Sequence, residues 1–330
     1  MLSPRFAQRI VAFSLLLIAL LLLAVVLSRR EDAAPVWPDG FSRISLAHSG
    51  ITEPAWYFAP ASNEPQPLLV SLHSWSGDAD QHDPLAAAAK QAGWHYIHPD
   101  FGGANTHPGA CLSRTALAGI DAAIDYALSN GKADPARIFV TGESGGGYAA
   151  LGTWLQSRYK LAGAMAWVPI SDLQAWHEES QHRPPPDPER RQGYDADIRA
   201  CTGSSDTLDT SAARERSPLW MTARGINQET PLMLLAGIHD GHDGAAVPVS
   251  HSVHFFNRIA AERGDSAAIV SPATLDALLQ RQPLTVSGTV GGRDIYLQRH
   301  TGPHSLVIFE GGHESLPGYT LQRLQELAAE

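Results

Sequence analysis

The sequence TGESGGG at residues 141–147 lies between an apolar run, IFV at 138–140, and a helix-forming segment, YAAL at 148–151. A Gly-x-Ser-x-Gly sequence between a strand and a helix is typical of a sharp turn that exposes the serine hydroxyl. Gly142 and Gly146 flank the serine, where small residues let the strand and the helix pack closely. Glycine and serine are also common in ordinary turns, so the motif alone is not specific. The strand and helix patterns on either side of it favour a nucleophile turn. We therefore predict that Ser144 is a nucleophile and that the Gly145 N–H faces the reacting carbonyl.

Apolar strands alternate with helical patterns over most of the chain. Leucines and valines predict buried strands, and a period of 3.6 residues over 117–128 predicts a helix that Gly131 ends. The predicted strands are 68–72, 94–98, 138–141, 161–168, 232–237 and 304–309, after an antiparallel pair within 41–58. The other predicted helices are 84–93, one through 255–259, and 321–327. This alternation predicts an α/β fold with a mostly parallel, doubly wound sheet.

Two long polar stretches interrupt this alternation. Residues 174–229 contain three consecutive prolines, and we expect them to form a cap over the carboxyl edge of the sheet. Residues 264–299 form a second insertion, for which we expect a helix at 271–280 and a small strand pair. Segments of this length within a compact domain are usually functional or carry local structure.

The N-terminal segment is the strongest signal for location. Residues 10–27 are apolar and uncharged, and they are long enough to cross a bilayer as a helix. We predict a membrane anchor within residues 1–30, a linker at 31–40 and an exported, periplasmic or extracellular catalytic domain at 41–330. The alternative is a signal peptide whose cleavage releases a secreted protein.

The overall composition fits a large soluble domain. The chain has 330 residues, 44% of them apolar, and a net charge of -10. No basic patch is present, so the composition argues against a nucleic-acid partner. The two cysteines, Cys111 and Cys201, are expected to form a disulfide if the domain is exported. Two buried free thiols are the alternative.

A serine nucleophile requires a base and an acid that orients the base. His313 is the candidate base, because it follows two glycines and a predicted strand in FEGGHE at 309–314. The candidate acid is Asp240, three residues beyond the strand 232–237. Asp243 and Asp172 remain alternatives, although both suit an ordinary turn or helix cap.

The loop LHSWSG at 72–77 follows an early strand and is expected to supply the second oxyanion donor. We favour the backbone N–H of Trp75, with Ser74 as the alternative. HDGHD at 239–243 also contains residue types that bind zinc. Its spacing places no third ligand, so we expect neither a metal nor an organic cofactor. We expect Asp83 to be solvated.

These motifs together resemble the α/β hydrolases, and among them the small prolyl-oligopeptidase-type serine hydrolases similar to acylaminoacyl peptidases or feruloyl esterases. The stretches that carry the resemblance are LHSWSGD at 72–78, PDFGG at 99–103, the elbow at Ser144, WVPISDL at 167–173, AGIHDGH at 236–242 and EGGHE at 310–314. The resemblance implies an α/β-hydrolase fold in which Ser144, Asp240 and His313 form a catalytic triad.

The resemblance also implies the reaction class. It favours a serine peptidase, with a carboxylesterase of the feruloyl or acetyl type as the alternative. The implied substrates are small esters, peptides or acyl groups linked to a polysaccharide. A non-catalytic binding protein on the same fold is a minor alternative.

The chain also departs from this family in two ways. About forty residues separate the apolar N-terminal run from the first hydrolase strand, which leaves no room there for the β-propeller of the large family peptidases. The loop after Asp240 is slightly longer than usual, which keeps Asp243 as an alternative acid.

Overall fold

The computed structural model describes residues 37–181, 193–242, 247–282 and 285–329. Ten strands lie within these ranges. They are β1 (Ser42–His48), β2 (Ile51–Phe58), β3 (Gln66–Leu72), β4 (His95–Pro99), β5 (Ala133–Glu143), β6 (Gly163–Trp167), β7 (Leu232–Gly237), β8 (Thr289–Val290), β9 (Arg293–Thr301) and β10 (His304–Phe309). Their order in the sheet is β1-β2-β4-β3-β5-β6-β7-β10-β9-β8.

Nine helices connect or follow these strands within the same ranges. They are α1 (Leu85–Gln91), α2 (Arg114–Gly131), α3 (Gly145–Gln156), α4 (Leu173–Ser180), α5 (Tyr194–Cys201), α6 (Thr210–Glu215), α7 (Ser250–Glu262), α8 (Pro272–Leu279) and α9 (Pro317–Ala329). Helix α2 ends as predicted at Gly131, where Lys132 adopts a left-handed conformation with φ 59°.

The centre of the sheet is parallel and covered on both faces. Strands β4, β3, β5, β6, β7 and β10 pair in parallel, and every residue of β7 is buried. A parallel strand that is covered on both faces consists of continuous apolar residues, which is why 232–237 could be recognised in the sequence. The predicted α/β class and the mostly parallel sheet are confirmed.

Antiparallel strands close both edges of the sheet. The strand pair predicted within 41–58 is the hairpin of β1 and β2, and β2 pairs antiparallel with β4. In the second insertion, α8 and the hairpin of β8 and β9 match the predicted helix and strand pair. Strand β9 also pairs with β10 and thereby extends the main sheet, which the sequence reasoning did not foresee.

The first insertion supplies α4, α5 and α6, and α4 packs beside the loop that follows β3. The ring of Trp176 in α4 lies 4.7 Å from that of Trp75 in this loop and 4.9 Å from that of Tyr194 in α5. Cys201, at the end of α5, is bonded to Cys111 with a Cα–Cα distance of 6.0 Å, so the predicted disulfide is present. The proline run of the insertion lies outside the described residues.

No helix in the described part of the chain is long and apolar enough to span a membrane. The anchor predicted at residues 10–27 lies outside the described residues.

Candidate active site

Ser144 occupies the tight connection between β5 and α3. Its backbone has φ 58° and ψ -115°, a region that residues with a Cβ rarely adopt. Such a conformation costs on the order of 1–3 kcal/mol and persists where the surroundings fix it. Here the Ser144 N–H donates to the carbonyl of Trp167 at 2.9 Å. The serine side chain is therefore held at the carboxyl end of the central strand.

The glycines around Ser144 allow backbones to touch. A Cβ on Gly142 would lie 2.4 Å from the carbonyl carbon of Gly146, and a Cβ on Gly146 would lie 2.1 Å from the oxygen of Leu72. No side chain fits at these distances without moving the backbone. The small residues expected from the sequence are thus required by the geometry of the turn.

The loop after β3 lies directly against the start of α3. A Cβ on Gly145 would lie 2.2 Å from the backbone nitrogen of Trp75, so the two backbones are in contact. The Gly145 N–H belongs to the first turn of α3 and has no acceptor within the helix. The alternative donor, the Ser74 N–H, bonds to Oε1 of Gln81 at 3.0 Å. This arrangement favours Trp75 over Ser74 as the partner of Gly145.

Two buried side chains that sequence reasoning missed support this loop. The ring of His73 lies between the carbonyls of Ser74 and Asp100, and burial lowers the pKa of His73. Asn105 donates to the carbonyl oxygen of Trp75 from its backbone N–H at 2.8 Å and from Nδ2 at 3.3 Å. Asn105 is thirty positions away from Trp75, and no local motif marks it.

Asp240 and His313 meet where two neighbouring strands end. Strands β7 and β10 are paired in parallel, so the loops that follow them leave the same edge of the sheet. His313 Nδ1 lies 2.8 Å from Oδ2 of Asp240. The other oxygen, Oδ1, accepts from the N–H groups of Gly241 and Val247 at 2.8 and 2.9 Å. Asp240 is only 1% exposed, and these three hydrogen bonds fix the orientation of its carboxylate.

Glycines also let the two loops approach each other. A Cβ on Gly237 would lie 2.2 Å from the carbonyl oxygen of Gly312 and 2.4 Å from that of Gly311. The His239 N–H donates to the Gly311 carbonyl at 3.0 Å. The loop that carries His313 therefore rests on the end of β7.

The other candidate acids occupy different positions. Asp172 caps α4 by accepting from the N–H groups of Gln174 and Ala175, and it also accepts from the Trp220 indole. Asp172 is therefore a helix cap, which is the alternative interpretation of this residue from the sequence. Asp243 lies outside the described residues. His239 Nε2 lies 2.7 Å from Oε1 of Glu310, so the His239 ring is paired with a carboxylate other than that of Asp240.

A further contact joins the elbow to the histidine loop. Oε2 of Glu143 accepts from the backbone N–H of Ser315 at 3.0 Å and from its hydroxyl at 2.5 Å. Glu143 directly precedes Ser144, and Ser315 is two residues beyond His313. A chain of bonded residues thus connects the serine, the histidine and the aspartate at one edge of the sheet.

Comparisons with known proteins agree with this architecture. Residues 117–273 match the model of the prolyl oligopeptidase family. Two uncharacterized proteins from strains of Mycobacterium tuberculosis are 28% identical to the chain over 125 residues, which is 38% of this chain and 44% of each relative.

Several solved peptidases have a similar structure. Acylaminoacyl peptidase from Pyrococcus horikoshii has a TM-score of 0.57 and 16% identity over 88% of this chain and 40% of its own. A puromycin-hydrolyzing peptidase of Mycobacterium tuberculosis has a TM-score of 0.56 and 19% identity over 87% and 38%. The matched region thus spans less than half of the length of these relatives. The chain has the α/β-hydrolase fold of the prolyl-oligopeptidase type, and its residues 117–273 match the model of that family.

Proposed function

We propose that this protein is a serine hydrolase in which Ser144, His313 and Asp240 form the catalytic triad. The observation that carries the proposal is the 2.8 Å contact between His313 and the buried Asp240, at the sheet edge where Ser144 occupies a strained turn. A buried carboxylate that bonds to Nδ1 leaves Nε2 of the imidazole available as a base. The match of residues 117–273 to the prolyl oligopeptidase family supports a hydrolase.

In this mechanism the hydroxyl of Ser144 attacks the carbonyl carbon of an ester or amide, and His313 accepts its proton. The N–H groups of Gly145 and Trp75 stabilise the oxyanion that forms. His313 then donates the proton to the leaving alcohol or amine, which leaves an acyl group on Ser144. Water, activated by His313, hydrolyses this ester and restores the serine.

We propose peptides as the substrate class. The support comes from the solved structures of similar fold, which include an acylaminoacyl peptidase and a puromycin-hydrolyzing peptidase. Aminoacyl p-nitroanilides and p-nitrophenyl esters offer the two leaving groups in one assay. Peptidase function predicts turnover of at least one anilide, with Ser144→Ala at least ~10³-fold slower. Turnover of esters alone would indicate a carboxylesterase, and turnover of neither by the folded protein would favour the binding-protein alternative.

We also propose that residues 10–27 hold the exported domain at a membrane. Their length and lack of charge support this location. Carbonate-washed membranes should retain the protein with an N-terminus near Met1. A soluble mature form that begins near Glu31 would indicate a cleaved signal peptide instead.

A further inference from the structure

Glu143 has a carboxylate whose interactions lie outside the triad. It is the last residue of β5, one position before Ser144. Its Oε2 accepts two hydrogen bonds from Ser315, one from the backbone N–H and one from the hydroxyl. A single oxygen therefore fixes both the main chain and the side chain of one residue.

Ser315 belongs to the short segment between β10 and α9, and this segment carries His313. Glu314 accepts from the Arg293 guanidinium, at the start of β9, and from the Gly312 N–H, so the loop is also bonded to β9. Glu143 adds a contact between this segment and the elbow through Ser315. Ser144 follows β5 and His313 follows β10, and these two strands are three positions apart in the sheet. The Glu143–Ser315 contact spans that separation.

We propose that Glu143 is a positioning residue that sets the distance between the nucleophile and the base. The inference rests on the proposed function of Ser144 and His313. Proton transfer between them requires hydrogen-bond geometry, and a displacement of about 1 Å in such a site can lower the rate about 10²-fold. A carboxylate that is bonded on one side and attached to the elbow on the other limits that displacement.

The surroundings of Glu143 indicate that its removal leaves the fold intact. Glu143 lines a cavity of about 260 Å³, together with Thr141 and Asp83. A polar cavity of this size has room for water, which can replace a lost acceptor. Asp83 is already engaged, because it accepts from the hydroxyls of Ser71 and Tyr96. Truncation at Glu143 is therefore expected to loosen the histidine loop without opening the core.

The test compares the full chain with Glu143→Ala, Glu143→Gln, Ser315→Ala and the double alanine variant. The measurements are the rate of labelling by a fluorophosphonate probe and the kcat and KM for p-nitrophenyl acetate. Glu143→Ala should lower the labelling rate and kcat about 10- to 100-fold while KM changes little. Glu143→Gln retains an oxygen acceptor and should stay within about threefold of the parent.

The double variant distinguishes loss of the Glu143–Ser315 contact from independent effects of the two substitutions. If the two residues act through one contact, the double variant should be no slower than Glu143→Ala alone. Glu53→Ala is the matched control, because Glu53 is also partly buried. This substitution removes a contact with His48 at the far edge of the sheet. This control should label at the rate of the parent.

Several results would overturn the inference. They are a parent-like rate for Glu143→Ala, an equal loss in Glu143→Gln, and additive losses in the double variant. If Glu143→Ala does not fold, Glu143→Asp decides the question, because the shorter side chain withdraws the carboxylate from both donors of Ser315 whereas Ser315→Ala keeps the backbone N–H. A loss of threefold or more supports the inference, and a parent-like rate rejects it. Absence of labelling in the parent would instead reject the proposed function.

Discussion

Asp240 is a buried residue that is fixed in one orientation toward His313, the proposed base. Its Oδ1 is fixed by the N–H groups of Gly241 and Val247, so Oδ2 has a defined direction toward His313. Burial excludes water from the carboxylate, which makes its hydrogen bonds stronger than they would be at the surface. The carboxylate therefore selects the tautomer of His313 that carries its proton on Nδ1.

Asp240→Asn should keep the position of His313 and change its tautomer. The amide oxygen can still accept from Gly241 and Val247, but the NH₂ group then faces Nδ1 and favours a proton on Nε2. We expect kcat to fall by up to ~10⁴ while the melting temperature changes little. Steady-state kinetics and thermal unfolding measure the two quantities. Asp243→Asn is the control, and a larger loss in this variant would show that Asp243 is the acid.

The local structure around the candidate site follows from the sequence, whereas contacts made across the fold do not. Ser144 and Trp75 were recognisable because strand, loop and helix signals surround them. The roles of Asn105 and Glu143 depend on contacts with distant segments of the chain. The expectation that Asp83 is solvated is wrong for the same reason. Asp83 in fact bonds to Ser71 and Tyr96 beneath the elbow. Such contacts follow from the assembled sheet, and no spacing in one sequence reports them.

The loops after β7 and β10 form one structural unit. Gly237 allows the end of β7 to lie under the carbonyls of Gly311 and Gly312. Strand β9 supports the same region by pairing with β10. A small strand pair is predicted in this insertion, but the pairing of β9 with β10 is not, because strand pairing is a non-local property.

Gly237→Ala should displace the loop that carries His313. The added Cβ would lie 2.2 Å from the Gly312 oxygen, so the loop or the strand must move. We expect kcat to fall at least ~10-fold and the melting temperature to decrease. Gly318→Ala is the matched control, because nothing lies within 4 Å of its Cβ. Gly318 lies in the first turn of α9. The Gly318→Ala variant should retain activity and gain up to about 1 kcal/mol of folding stability. Parent-like activity of Gly237→Ala would contradict the proposed contact.

Buried histidines link the folding stability of the protein to pH. Burial lowers the pKa values of His95, His98 and His304 to about 4 in each case. A histidine in the unfolded chain has a pKa of about 6.5. Between these values the unfolded state binds protons that the folded state does not bind. Stability is therefore retained above about pH 6.5 and lost as the pH falls toward 4.

His304→Phe should reduce this loss. The ring of His304 packs 5.4 Å from that of Trp154 at the start of β10, where a phenyl group can replace it. Between pH 7 and pH 5 the variant should lose about 1–2 kcal/mol less of its unfolding free energy than the parent. Urea unfolding at the two pH values measures the difference, with the exposed His300→Gln as control. Equal losses in parent and His304→Phe would show that His304 does not contribute.

The proposed mechanism requires Ser144 to be the nucleophile. Peptide mapping by mass spectrometry after treatment with a fluorophosphonate examines this requirement. We expect one adduct, located on Ser144, and no adduct in a folded Ser144→Ala protein. An adduct on another residue, or an unlabelled parent protein of native fold, would contradict it.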